Sequence, residues 1–238
     1  MKNYKKLSLL GHGSFGRVYL VSKADKKYAM KQMVTNCESV INKIVNEVNI
    51  LKHCQHDTIP KLYHHDVKDN TYSIIIDYGG QDMYDYLSQQ YYHCLSEQQT
   101  KLFVNKILRG VIYLHANGII HRDLKLENIL ILNNNIKIID FNLSVMDVQS
   151  IVNKTFTTPY SKQKTSTFLP THIVTGIYGT PEYLAPEVIT LLPYTYMVDW
   201  WAFGVIIYEL LYGQTPFIHA DEEKMFELLY FTAFNTFR

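Results

Sequence analysis

Two kinds of apolar pattern alternate along the chain. Short unbroken runs rich in β-branched and aromatic residues predict strands: Arg17-Val18-Tyr19-Leu20-Val21, Tyr28-Ala29-Met30-Lys31, Thr71 to Ile76, Ile129-Leu130-Ile131-Leu132 and Ile136 to Ile139. The last two, joined by Asn133-Asn134-Asn135, predict a hairpin of buried strands. Helical spacing appears in Ile41, Ile44, Val45, Val48 and Leu51. It appears again from Lys101 to Asn117, where Leu102, Val104, Ile107, Leu108, Val111, Ile112 and Leu114 are assigned to the buried side and Gly118 to the C-cap. A further helix is suggested over Glu222 to Tyr230. Ser144 to Ile177 is polar and has no clear period; a loop of that length inside a compact domain is either functional or disordered.

Bulk properties narrow the picture without naming a chemistry. At 238 residues the chain can form one large domain or two small lobes. A formal net charge of +1 gives no general attraction to nucleic acid or to membranes, and neither is expected as a partner. The cysteines, Cys37, Cys54 and Cys94, are odd in number and lack metal-ligand spacing, which favours a reducing compartment. No apolar signal run follows the N-terminus and no stretch approaches the length of a membrane span. The expected location is the cytoplasm, with the nucleus as the alternative.

The chemistry centres on His121-Arg122-Asp123-Leu124-Lys125-Leu126-Glu127-Asn128 and on Asp140-Phe141-Asn142. The hairpin would hold Asp123 and Asn128 on the loop before it and Asp140 just after its second strand. Phosphoryl transfer needs such a set: one carboxylate to orient a hydroxyl, and hard oxygen ligands to hold magnesium against ATP. Upstream lies Gly11-His12-Gly13-Ser14-Phe15-Gly16. A Gly-x-Gly-x-x-Gly is shared with dinucleotide-binding folds, but those need a helix at the third glycine, and here a strand follows.

These motifs resemble the eukaryotic protein kinases, of the serine/threonine type because Lys125 stands two residues after Asp123. The resemblance implies an α+β, bilobal protein-kinase-like fold: a small β-rich N-lobe with helix C (1–76), a hinge (77–81) and a larger, mainly helical C-lobe (82–238) with an activation segment at 140–187. It implies Asp123 as catalytic base, Lys125 steadying the transferred phosphoryl group, and Asn128 and Asp140 holding Mg2+. Lys31 would reach the ATP phosphates and pair with Glu47. Leu10, Gly11, Gly13, Ser14, Gly16, Val18, Ala29, Ile76, Asp77 and Gly79 would complete the ATP site. Gly179-Thr180-Pro181-Glu182-Tyr183-Leu184-Ala185-Pro186-Glu187 resembles the substrate-docking loop and Ala-Pro-Glu motif, with Thr180 bonding Asp123 and Lys125. Asp199 would bond the backbone of the catalytic loop.

The wording of that loop, with Val198-Asp199-Trp200-Trp201-Ala202-Phe203-Gly204, resembles the AGC group. The long polar segment and Pro216-Phe217-Ile218-His219-Ala220-Asp221-Glu222-Glu223-Lys224-Met225-Phe226 resemble its microtubule-associated serine/threonine kinase and Greatwall branch. Partners implied are ATP and protein substrates bearing Ser or Thr, with Asp82 and Glu127 favouring basic residues upstream of the target. The sequence departs from the family at three places. Gly176 stands where most AGC kinases carry a phosphorylatable Thr. Asn142 replaces a glycine, and Asn is expected to supply the positive φ of that turn. The family's last helices, with the Arg that pairs with the position of Glu187, are expected to be missing. Besides the kinase reading, two others stand: a scaffold that keeps the fold without efficient catalysis, and an unstable fragment.

Overall fold

The computed structural model describes residues 4–13, 16–146 and 173–235. Ser14 and the middle of the long polar segment lie outside them. The chain divides into two compact units, Met1–Tyr86 with Glu127–Asn142, and Leu87–Leu126 with Leu143–Arg238. No helix of the described residues is long and apolar enough to cross a membrane. Elements below are numbered along the chain.

The first unit is built on a five-stranded antiparallel sheet. Its strands are β1 (Lys5–Gly13), β2 (Gly16–Lys23), β3 (Lys26–Val34), β4 (Leu62–Lys68) and β5 (Thr71–Asp77), in the order β1-β2-β3-β5-β4. Helix α1 (Glu38–His53) buries Ile44, Glu47, Val48, Ile50 and Leu51. Val45, assigned to the apolar face by spacing, is 47% exposed, and the acidic Glu47 takes a place on the buried face instead. The chain then forms β6 (Gln81–Asp82) and the short helix α2 (Met83–Ser88). Strand β6 pairs with β8 (Ile129–Leu132), which pairs with β9 (Asn135–Ile138). The hairpin turn is tighter than the three asparagines suggested: Asn133 and Asn134 have φ of 50° and 61°, and Asn135 lies in β9 opposite Leu132. Two positive-φ residues match the right-handed twist of the strands, and Asn is one of the few residues that adopt that conformation. Gly80, at φ +87°, passes so close to β8 that a Cβ there would lie 2.1 Å from the Ile131 carbonyl oxygen. Only glycine fits that approach.

The second unit is mainly helical. It contains α3 (Glu97–Ala116), β7 (Ile119–Ile120), β10 (Val145–Met146), α4 (Pro186–Ile189), α5 (Met197–Tyr212) and α6 (Glu222–Asn235). Helix α3 begins four residues before the apolar pattern does. Ser96 and Gln99 form a capping box that satisfies its first free amides. Gly118 ends it with φ +69°. The buried stripe is Thr100, Phe103, Ile107, Gly110, Val111 and Leu114. Leu102 and Ile112, expected inside, are 62% and 50% exposed. Each is one residue, or about 100°, off that stripe, so the 3.6-residue period and not hydrophobicity decides which side chain is buried. Strands β7 and β10 pair antiparallel, Ile120 opposite Val145. Around them Ile120, Leu184, Ala185, Val188, Tyr194 and Val198 form a buried cluster.

Candidate active site

In the first unit, strand register brings the candidate nucleotide residues onto one face. Val18 lies opposite Lys31, Leu20 opposite Ala29, and Ala29 opposite Ile76. Opposed residues share a face, as do residues two apart, so Val18, Ala29, Lys31 and Ile76 project together. Gly11 is paired with Val18 and Gly16 with Met33. Gly16 packs tightly enough that a Cβ would meet the Gln32 carbonyl oxygen at 2.1 Å. Leu10 is 42% exposed. Asp77 is opposite Tyr28, one position out of phase with Ile76. Its carboxylate accepts from the Lys61 amide and the Tyr63 hydroxyl, each at 2.9 Å, and faces the Lys137 ammonium at 3.1 Å. Burial works against the charge of Asp77, but these bonds hold its carboxyl below the ordinary value. The side chain of Asp77 is therefore structural, and its amide donates to the Lys61 carbonyl at 3.2 Å. Gly79 packs on Leu130 of β8.

Lys31 reaches from β3 to both oxygens of Glu47 on α1, at 3.1 and 2.8 Å, and to Asp140 Oδ1 at 3.2 Å. Burial opposes the ammonium, yet the two carboxylates outweigh it and push its pKa up to about 12. For Glu47, burial pushes the carboxyl above its ordinary value against the pull of Lys31. Asn128 and Asp140 emerge from the same end of the hairpin: Ile129 is paired with Ile138, and the Ile139 amide donates to the Asn128 carbonyl at 2.9 Å. Among the described residues no three His, Cys, Asp or Glu cluster as a metal cage. An amide oxygen and a carboxylate at one hairpin end fit magnesium, which uses one or two hard protein ligands and completes its shell with phosphates and water.

The turn after Asp140 differs from expectation. Asp140 itself has the positive φ, at 67°, and Asn142 sits within a single 3₁₀ turn, Phe141–Leu143. Phe141 is fully buried. The Asn142 Nδ2 donates to Asp140 Oδ1. Spacing could not reveal that contact, because the family position it occupies has no side chain.

In the second unit, Thr180 Oγ1 donates to Asp123 Oδ1 at 2.8 Å and accepts from Lys125 Nζ at 2.7 Å. Lys125 Nζ lies 3.7 Å from the other Asp123 oxygen. The loop carrying Asp123 is held from α5. Asp199 accepts from the amides of His121 and Arg122, each at 2.8 Å, and from His115 Nε2 at 2.8 Å. Asp199 is 1% exposed. Burial alone would raise its pKa, but these donors hold it below the ordinary carboxylate value. The His115 contact joins residues 84 positions apart and had no signal in the sequence. Arg122, at φ +67°, donates through Nε to the Leu143 carbonyl and lies 4.4 Å from the centre of the Tyr178 ring. That ring is two residues beyond Gly176.

Residues 4–237 match the family model described as protein kinase domain. The chain belongs to the protein kinase domain family. It is 31% identical to the RAC-beta serine/threonine-protein kinase of Rattus norvegicus over 237 residues, which is 96% of this chain and 44% of that protein. It is 32% identical to the serine/threonine-protein kinase ppk22 of Schizosaccharomyces pombe, over 90% of this chain and 44% of that protein. It is 33% identical to the serine/threonine-protein kinase akt-2 of Caenorhabditis elegans, over 96% of this chain and 40% of that protein. The chain thus spans less than half the length of these curated relatives. Its α+β architecture, one unit built on a sheet and the other mainly helical, is that of a protein kinase domain.

Proposed function

We propose that the chain transfers the γ-phosphoryl group of ATP to Ser or Thr hydroxyls of protein substrates. The observation that carries this reading is the Thr180 hydroxyl, bonded at once to the Asp123 carboxylate and the Lys125 ammonium. Such a pair accepts a hydroxyl proton on one side and steadies an oxygen on the other. The acceptor oxygen would attack the γ-phosphorus as the bond to the bridging oxygen of ADP breaks, and the hydroxyl proton would pass to Asp123. Lys31, held by Glu47, would anchor the phosphates, with Gly11, Gly13 and Gly16 of the β1–β2 turn giving backbone access. Asn128 and Asp140 would hold magnesium, which neutralises phosphate charge when bound.

Finer placements follow from the same residues. The relatives agree with an AGC-like kinase, and the wording from Pro216 to Phe226 supports the microtubule-associated serine/threonine kinase and Greatwall branch. Glu127 is exposed and Asp82 is half-buried at the start of α2, where its Oδ1 accepts the Asp85 amide at 2.8 Å. Two carboxylates there support a basic substrate. An odd number of cysteines, all free, supports a cytoplasmic setting.

The test is phosphate transfer from labelled Mg-ATP to a basic Ser/Thr peptide, by the parent and by Asp123→Asn. Loss of a general base lowers turnover by about 10²–10⁴-fold. Equal transfer by both proteins would overturn the assignment of Asp123. No transfer by a folded, ATP-binding parent would favour a scaffold, and a chain that does not fold would point to an unstable fragment. Replacing the peptide's upstream Arg by Ala should raise KM; equal turnover would sink the basic preference.

A further inference from the structure

Asn142 is a buried polar side chain beside Asp140 that the proposed transfer leaves without a task. It is 6% exposed. Its Nδ2 donates to Asp140 Oδ1, the same oxygen that Lys31 approaches at 3.2 Å. Its own Oδ1 is buried and has no hydrogen-bond partner among the described residues. The opposite amide orientation would set a carbonyl oxygen against a carboxylate oxygen, two acceptors with no proton between them, so the donor must face Asp140. A residue kept only to fill space here would do better as an apolar one of the same shape, since a buried unanswered acceptor is unfavourable. The donor is what distinguishes Asn142 from such a residue.

We infer that Asn142 is a positioning residue that fixes the Asp140 carboxylate for magnesium. The inference rests on the metal-holding role proposed for Asp140. With Lys31 and Asn142 both bonded to Oδ1, rotation of the carboxylate about its last torsion breaks two hydrogen bonds rather than one. Asp140 is thereby pre-arranged before any ion arrives. Partners that hold a ligating group in place commonly matter about 10–100-fold to metal affinity or activity. The glycine of related kinases can make no such contact, so this chain holds its metal-ligand turn by a side chain as well as by its backbone.

The experiment measures ADP affinity by calorimetry, with and without Mg2+, for the parent, Asn142→Ala and Asn142→Leu. Both variants remove the donor; Leu keeps the volume and removes the orphan oxygen. Magnesium-free ADP affinity should stay within about twofold of the parent, while the gain conferred by Mg2+ should fall about tenfold. Variants that retain the full gain, or that lose affinity equally with and without the ion, would overturn the inference. A parent whose ADP affinity ignores magnesium would instead overturn the metal-holding reading, and the inference with it. If neither variant folds, the parent labelled with 15N-asparagine decides. The Asn142 side-chain amide must shift when Mg2+ is added to the ADP complex, and an unmoved resonance would refute the role.

Discussion

The two units hold their candidate residues by different forces. In the first unit, ions position ions: Lys31 is fixed by Glu47 and Asp140, all of it nearly or partly withdrawn from water. In the second, Asp123 meets a neutral hydroxyl as well as a cation, and its loop is held through two backbone amides by Asp199. The difference teaches where each unit is fragile. A buried ion pair gives little net stability, but removing one member strands a charge. An amide-anchored loop loses hydrogen bonds instead, and its fault is one of geometry.

The largest effect is expected from Glu47→Ala, which leaves Lys31 buried beside Asp140 alone. Removing one member of a buried pair typically lowers stability by about 3–5 kcal/mol, and the remaining Asp140 contact places this variant at the lower end. Urea unfolding would measure it. A loss below about 1 kcal/mol would mean that water reaches Lys31. Next comes Asp199→Asn, which keeps the shape but removes the charge from three donors. Hydrogen bonds to charged groups contribute about 1.5–3 kcal/mol. Both tryptophans of the chain, Trp200 and Trp201, lie in that unit, so their fluorescence follows it. An unchanged unfolding midpoint would show that Asp199 is not what holds the loop.

The two units should also fail at opposite ends of the pH scale. The pKa of Lys31 is raised, so its contribution is full below the unfolded value of 10.5 and is lost as pH climbs through about 12. The pKa of Asp199 is lowered, so its contribution is full above the unfolded value of 3.8 and is lost as pH falls below it through the folded value. Stability measured against pH should therefore lose its alkaline slope in Glu47→Ala and its acid slope in Asp199→Asn. The same slopes in parent and variants would break the comparison. The smallest effects belong to the exposed side of α3: Leu102→Ala and Ile112→Ala should change stability by no more than about 0.5 kcal/mol, well below the loss from Phe103→Ala on the buried stripe. Equal losses would mean that the stripe is misassigned.

Much of the fold was legible because local chemistry and burial agree. The strands around Lys31 are β-branched runs that stay strands when packed, and Asn133 and Asn134 make the turn between two of the apolar runs. Where they disagree, spacing alone misplaces residues: Leu102, Val45 and Ile112 are apolar but off the buried stripe, whereas Glu47, charged and on it, is placed beside Lys31 by the family motif and not by hydrophobicity. Composition identifies what a residue prefers; the helical phase, set by the neighbours of the helix, decides what it gets.

By itself the sequence determined the family, because the residues that bear the chemistry sit in short contiguous motifs whose spacing the backbone converts directly into position. It also determined which strand carries Lys31 and which loop carries Asp123. Only the tertiary structure decided how these groups are held. The contacts of Asp199 with His115 and His121, of Lys31 with Asp140, and of Arg122 with Tyr178 join residues far apart in the chain. A side chain's partner in such cases depends on packing, and no local propensity encodes it. The same holds at short range for Asn142, two residues from Asp140: a 3₁₀ turn, not the chain order, brings its amide to the carboxylate.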